Sequence, residues 1–251
     1  MYLKLISCNV FQREACLCLA QSPHKIDVEF TELGEHVRPE KLRGVLQAAI
    51  DRTSESGRPY DAIVLLFGIC GNAGVQLQAR TIPLVIPRAH DCCTVLLGSK
   101  KLFKEHFGDR PSTPFSSSGY MERGEYFLRV EDGETKVHYG DVFAEYVEKY
   151  GEENAKFIWE QMHPDGYDDD KRAVFIDIPE FCHLGYDEQF REKAEAENRD
   201  YVRLEGSLRI IRKLIDGQWD EEDFLVVPPG QKTEGVYDWE EIIRAVDGAA
   251  E

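Results

Sequence analysis

Apolar positions in the first hundred residues alternate between short unbroken runs and helically spaced stretches. The run DAIVLLFGI (61–69) is typical of a central parallel strand that is buried on both faces. Residues 38–56 instead carry apolar side chains at helical spacing, with Pro39 near the first turn. We predict strands at 2–7, 25–33, 61–69 and 82–87, and helices at 12–21, 38–56 and 91–107. This alternation predicts a doubly wound parallel α/β sheet of the Rossmann-like type.

The second half of the chain repeats this alternation on a smaller scale. After a Gly-, Ser- and Pro-rich stretch and a helical segment at 141–163, strands are predicted at 172–180, 201–206 and 223–230. Helices are predicted between them, at 186–198 and 207–217. We therefore predict two pseudo-duplicated Rossmann-like lobes, 1–110 and 141–251, joined by a linker or lid at 111–140. Their ligand is expected at the carboxyl ends of the strands.

Charge and composition exclude several classes of protein. The formal net charge of -17 opposes binding to a phosphate backbone, so nucleic acid is not an expected partner. No run of about 18 apolar residues occurs, so we expect no membrane span. The seven cysteines are an odd number and do not describe a disulfide framework. We expect a cytoplasmic protein without a cleaved signal, acting on a small molecule.

Cysteines follow three of the predicted strands in the first lobe. Cys8 ends the first strand, Cys70 follows the third, and Cys92 and Cys93 follow the fourth. Parallel strands finish on one edge of a sheet, so these thiols are expected to converge. Thiolates select zinc, copper(I) or iron–sulfur clusters. Cys8, Cys70 and Cys92 are thus predicted metal ligands, either of a [4Fe–4S] cluster with one open iron or of a catalytic zinc, although buried cysteines can also be purely structural.

Glycine and polar residues flank these cysteines. In FGICGNAG, glycines permit a tight turn and a close approach of backbone to ligand, and Gly71 and Asn72 are candidate cofactor-binding residues. Ser99, one to two turns after the cysteines in the predicted helix at 91–107, is a third candidate of this kind, or a residue that marks close helix packing. The spacing is not that of a dinucleotide fingerprint.

The segment PRAHDCC is the densest polar cluster beside an apolar strand, and it supplies the candidate catalytic residues. Arg88 could hold a carboxylate or phosphate bidentately. His90 could serve as acid, base or ligand. Asp91 could orient that histidine or cap the following helix.

Other chemical groups could reach the same crevice. PFSSSGY (114–120) and Tyr139 in the linker could fold over the site or form a plain polar loop. Cys182 and His183 follow the first strand of the second lobe and could face Cys8 across the cleft. ISCN resembles the strand-end cysteine motif of aspartate and glutamate racemases, which implies a cofactor-free two-cysteine racemase or lyase as an alternative function.

These motifs together resemble an uncharacterised prokaryotic family, the domain of unknown function numbered one-six-three-eight. The matching features are the strand end at Cys8, FGICGNAG, and above all PRAHDCCTVLLGS, with a weaker match at SSSGY (116–120). Cys93 departs from the aliphatic residue expected there. The resemblance implies a setting in anaerobic one-carbon, sulfur or corrinoid-linked metabolism. It also implies corrinoid methyltransferase system proteins as partners, and a corrinoid- or zinc-binding accessory factor for methyl transfer as a further alternative function.

Overall fold

The computed structural model describes residues 1–32, 39–111, 113–123, 171–236 and 238–248. Most of the predicted linker, Tyr139 and the predicted helix at 141–163 lie outside these residues. Within them, the chain forms two parallel arrangements of strands, with helices packed on their faces.

The first sheet has five strands in the order β2-β1-β3-β4-β8. Its strands are β1 (Tyr2–Cys8), β2 (Lys25–Thr31), β3 (Ala62–Leu66), β4 (Leu84–Pro87) and β8 (Phe224–Val227). The first four are parallel to one another, and every residue of β3 is buried, as the unbroken apolar run predicts. The Rossmann-like α/β class expected from the sequence is confirmed.

A second sheet has three parallel strands in the order β5-β6-β7. These are β5 (Phe115–Ser117), β6 (Arg172–Asp177) and β7 (Asp200–Glu205), and a separate antiparallel hairpin joins β9 (Gln231–Gly235) to β10 (Ile243–Asp247). The helices are α1 (Gln12–Gln21), α2 (Pro39–Glu55), α3 (Cys92–Leu97), α4 (Lys100–Phe107), α5 (Ser118–Glu122), α6 (Tyr186–Ala196) and α7 (Arg209–Ile215). Short 3-10 turns occupy Asn9–Phe11 and Pro179–Leu184.

The position of strand β8 differs from the one that a duplicated fold requires. The sequence places residues 223–230 in the second lobe, but β8 pairs antiparallel with β4 at the edge of the first sheet. The predicted pseudo-duplication is therefore not confirmed. An apolar run of this length has the same appearance in either sheet, because periodicity reports burial and not the partner strand.

One hydrophobic core joins the two sheets. Leu5 and Val64 of the first sheet belong to the same buried cluster as Val174 and Ile176 of β6. The opposite face of β6 packs separately against α6, through Phe175 and Phe190 with ring centroids 5.4 Å apart. The second sheet is thus attached through one face to the first sheet's core. None of the described helices combines the length and the apolar character needed to cross a bilayer.

The contact between α5 and the turn after β1 sets how closely the two sheets approach. A Cβ atom added to Gly119 would lie 1.8 Å from the carbonyl oxygen of Val10, closer than any real contact. Only glycine fits there, so the start of α5 rests directly on the backbone after Cys8.

Replacing Gly119 by Ala should therefore lower the free energy of unfolding by at least about 2 kcal/mol, because the methyl group forces α5 away from Val10. The measurement is urea denaturation followed by circular dichroism. Gly44→Ala is the control: Gly44 lies within α2 with no described atom within 4 Å of its added Cβ. That change should stabilise the protein by about 1 kcal/mol, through helix propensity. Equal stability of the Gly119→Ala variant and the wild type would contradict the close contact.

Candidate functional site

Three strand ends bring their cysteines together, as the parallel topology predicts. Cys8 is the last residue of β1, Cys70 lies in the loop after β3, and Cys92 begins α3 after β4. The sulfur atoms of Cys70 and Cys92 are 3.8 Å apart. Cys8 is close enough to Cys70 that its negative charge would raise the Cys70 pKa. None of the seven cysteines forms a disulfide.

The loop after β3 reaches Cys92 because its backbone stays paired with the segment after β4. Ile69 N–H donates to the carbonyl oxygen of Ala89 at 2.9 Å, and Cys70 N–H donates to that of His90 at 3.0 Å. Gly68 makes this possible, since a Cβ there would lie 2.6 Å from the Cα of Asp91. Gly68 therefore allows a close packing of the two segments, and this packing positions the Cys70 thiol.

A left-handed turn begins at Cys70 itself. Cys70, Gly71 and Asn72 have φ values of 43°, 62° and 74°. Glycine and asparagine adopt this region readily, whereas at Cys70 it costs about 1 kcal/mol or more. Arg43 of α2 donates to the carbonyl oxygen of Asn72 at 2.8 Å and holds the turn from outside. Gly71 and Asn72, predicted to bind a cofactor, thus shape the loop that presents Cys70.

Tyr120 of α5 joins the thiols from the second sheet. Its side chain is only 4% exposed, and its hydroxyl group lies close enough to Cys92 for the two groups to interact electrostatically. Burial raises its pKa well above the usual value, and the nearby charges of Cys92, Cys8 and Cys70 raise it further. The sequence analysis raised PFSSSGY (114–120) as a segment that could fold over the site, without singling out Tyr120.

The thiol cluster strongly disfavours isolated negative charge. The hydrogen bond with Cys92 and burial raise the pKa of Cys70 well above its usual value, and the charges of Cys92, Asp91 and Cys8 add to this effect. The thiol of Cys70 therefore keeps its proton at neutral pH unless a cation compensates the thiolate. A bound metal ion does that, because it binds the deprotonated form and releases the proton.

Arg88 is engaged away from an anion site. Its guanidinium donates to the carbonyl oxygens of Glu221 at 2.9 Å, Phe224 at 3.2 Å and Glu241 at 2.7 Å, and also to that of Ile243. These contacts tie the end of β4 to β8 and β10. In this structure Arg88 therefore binds backbone carbonyl oxygens. Its guanidinium does not form the bidentate carboxylate or phosphate site that the sequence analysis considered.

His90 lies among aromatic rings. Its imidazole stacks on Phe103 with centroids 5.4 Å apart and contacts Trp239 at 5.1 Å. Its Nε2 lies 3.2 Å from the carbonyl oxygen of Asp238, and burial lowers its pKa, which favours the neutral ring. In that tautomer Nε2–H donates to Asp238, and Nδ1 is a buried acceptor without a partner within the described chain.

The two remaining polar candidates in this stretch act as helix caps. Asp91 Oδ1 accepts from the backbone N–H of Thr94 at 3.0 Å and caps α3, the alternative role considered for it. Burial raises its pKa to about 6. Ser99, predicted to contact a cofactor, accepts from the N–H of Leu102 and caps α4.

Cys93 and Cys182, the other cysteines considered for this site, do not join the thiol cluster. Cys93 is fully buried in the hydrophobic core, and burial raises its pKa well above the usual value. Cys182 and His183 are both exposed on the 3-10 turn after β6, whereas Cys8 is fully buried. Cys182 is not among the strongest electrostatic neighbours of Cys70 or Tyr120.

The described residues contain no group of three or more His, Cys, Asp or Glu side chains arranged as the ligand shell of one metal ion. The site is therefore a close pair of thiols, with a third thiol and a phenol beside it. Such a set can hydrogen bond, bind soft metals as thiolates, and keep water away from whatever it binds.

A family described as a protein of unknown function (DUF1638) matches residues 30–215, which is most of the chain. The chain belongs to this DUF1638 family. The matched region includes Cys70, Cys92 and Tyr120, while Cys8 lies before it. No curated protein and no solved structure matched the chain.

Glu14 is a buried acid that the sequence analysis did not single out. It lies in the first turn of α1, is 0% exposed, and neither side-chain oxygen has a hydrogen-bond partner within the described chain. Burial raises its pKa from 4.5 to about 7, and the charge of Glu122 contributes in the same direction. The sequence does not indicate that this glutamate is buried, because charged residues on helices are usually exposed.

This shift makes stability depend on pH in a known direction. The folded protein holds the Glu14 proton up to about pH 7, whereas the unfolded chain releases it near pH 4.5. The free energy of unfolding should therefore fall as pH rises through this interval, by about 3 kcal/mol from this group. Glu14→Gln should remove that part of the fall, and the variant should exceed the wild type in stability at pH 8. Urea denaturation between pH 4 and 8 measures both; parallel curves for the two proteins would refute the assignment.

Proposed function

We propose that this protein binds a metal centre through Cys8, Cys70 and Cys92, with one coordination position open to a small-molecule substrate. The supporting observation is the meeting of thiols from three strand ends, two of them with sulfur atoms 3.8 Å apart. The donor chemistry fits, because thiols are soft ligands and burial, together with the neighbouring groups, otherwise penalises the deprotonation of Cys70. A cation removes that penalty.

A [4Fe–4S] cluster is the first form of this centre. Three protein thiolates leave the fourth iron free, and the three ligand sulfurs attach to different irons. This form does not require the three thiols to share one ion, and no set of three described side chains has the arrangement of a single-ion shell. Assembly of the cluster then requires the sulfurs of Cys70 and Cys92 to move apart from their present separation.

A zinc ion is the second form, and one distance favours it. Two sulfurs that bind one tetrahedral zinc at ~2.3 Å each lie about 3.8 Å apart. The sulfurs of Cys70 and Cys92 have this separation. In this form Cys8 completes the three protein ligands, and the fourth position holds water or substrate.

The bound metal supplies a Lewis acid that polarises a sulfur or oxygen atom of the substrate. The chain's own residues prepare the site for it. The hydroxyl of Tyr120 lies close to Cys92, and a thiolate there would accept a hydrogen bond from it more strongly than a thiol would. The buried surroundings of Cys8 and Cys92 exclude water. The corrinoid-linked setting stays a prediction.

Protein purified and reconstituted without oxygen should be brown and contain iron and sulfide. Cys8→Ser, Cys70→Ser and Cys92→Ser should each reduce iron content at least about tenfold, because each removes a ligand. Iron and sulfide analysis, with the visible spectrum, is the measurement. Cys93→Ala and Cys16→Ser are controls and should keep the metal, since Cys93 lies in the core and Cys16 is exposed on α1.

The outcomes separate the two forms. Stoichiometric zinc that depends on the same three cysteines, with no iron after reconstitution, would establish the second form against the first. Protein that takes up neither metal, or that loses metal equally with Cys93→Ala, would contradict the proposal.

A further inference from the structure

The sulfur atoms of Cys70 and Cys92 lie in direct contact. Their separation is 3.8 Å, whereas a disulfide joins its two sulfurs at about 2.0 Å. The gap of about 1.8 Å closes when each sulfur moves by about 1 Å, which small side-chain rotations supply. Both thiols are free in this structure. The pair is thus a reduced dithiol at a separation from which a disulfide can form.

The backbone beneath the two cysteines holds them at this separation. Cys70 N–H donates to the carbonyl oxygen of His90, two residues before Cys92, and Ile69 N–H donates to that of Ala89. These hydrogen bonds continue the pairing of β3 with β4 past the ends of both strands. A bond between the sulfurs would therefore form without separating the two paired segments.

Other pairings of the cysteines are less suited to a disulfide. Cys92 and Cys93 are adjacent on α3, and adjacent residues of a helix do not face each other. Residues two apart on a helix do not face each other either, which applies to Cys16 and Cys18 of α1. Cys182 is exposed on the 3-10 turn after β6.

Solvent reaches the thiol cluster at Cys70. This residue is partly exposed, whereas Cys92 is 3% exposed and Cys8 is 0% exposed. An oxidant must therefore be small to reach the pair. Hydrogen peroxide is scarcely larger than water and meets this requirement, whereas a bulky disulfide does not.

We infer that Cys70 and Cys92 are a redox pair, which a peroxide oxidises to a reversible disulfide. One sulfur loses its proton and attacks a peroxide oxygen, the O–O bond breaks, and water leaves a sulfenic acid behind. The other sulfur then attacks the sulfenic sulfur, the S–O bond breaks, and the departing hydroxyl takes the second thiol proton as water. The two thiols lose two electrons and two protons, and one hydrogen peroxide becomes two water molecules.

The disulfide and the proposed metal centre use the same two sulfur atoms, so each excludes the other. Oxidation would close the site, and reduction by a dithiol would open it again. The disulfide itself needs no metal, and only its effect on metal content rests on the proposed function.

Metal-free, reduced protein treated with hydrogen peroxide tests the redox pair. Free thiols are then blocked with iodoacetamide, and the unreduced digest is analysed by mass spectrometry. We expect a peptide that joins Cys70 to Cys92, a loss of two of the seven thiols, and recovery of both with dithiothreitol. In folded protein this link should exceed any other cysteine pair at least about tenfold, because the fold holds the two sulfurs together. Protein oxidised in urea should lose that excess.

Cys70→Ser and Cys92→Ser should each prevent the link, with circular dichroism to show that the variants fold. Cys93→Ala is the matched control, because Cys93 is adjacent to Cys92 in sequence and is equally inaccessible. Cys16→Ser is a second control, since Cys16 is exposed on α1. Both controls should form the link between Cys70 and Cys92 as the wild type does.

The failures can be told apart. Folded, metal-free protein that forms no link between Cys70 and Cys92, or that links either of them to Cys8 or Cys93 instead, overturns the redox pair and leaves the metal centre standing. The expected link in protein that takes up no metal supports the redox pair and refutes the proposed function. Zinc-loaded protein should release zinc as the link forms, and zinc that stays bound to the oxidised protein would overturn the mutual exclusion.

Discussion

The site depends on a backbone ladder that continues past the ends of β3 and β4. Two N–H groups, of Ile69 and Cys70, donate to carbonyl oxygens of the segment that leads into α3. Hydrogen bonds of this kind are short and directional, so they fix the Cα of Cys70 with respect to that of Cys92. The glycine that permits them, Gly68, has no chemistry of its own. Thiols far apart in sequence become neighbours because the backbone beneath them is paired.

The thiol cluster created in this way would be stabilised by a positive charge. Burial and mutual proximity keep Cys70 protonated, Asp91 has a raised pKa, and Tyr120 is held far from ionisation. Cys70 and Tyr120, which stay protonated, would therefore be poor nucleophiles by themselves. A positive ion would change all of these preferences in one direction, which is why the cluster is better suited to hold a cation than to act by acid–base chemistry alone.

Sequence patterns predicted the features that strand direction determines and failed where side-chain direction decides. Cys8, Cys70 and Cys92 meet because parallel strands end on one edge, a rule that needs no coordinates. Arg88 and His90 are adjacent to that edge in sequence, but one points toward β8 and β10 and the other into an aromatic cluster. Tyr120 could not be singled out within PFSSSGY, because its place depends on how the second sheet packs on the first, through Gly119. Periodicity carries no information about that contact.

The late strand β8 has a consequence for how the chain acquires its structure. β4 receives its outer neighbour only when residues 224–227 arrive, and Arg88 finds its carbonyl partners in the same late segment. During synthesis the cysteine-bearing half therefore leaves the ribosome with an unpaired edge, which is open to association with other chains. The site's geometry is completed from the far end of the polypeptide, so an N-terminal fragment that contains all three thiols would still lack a finished sheet.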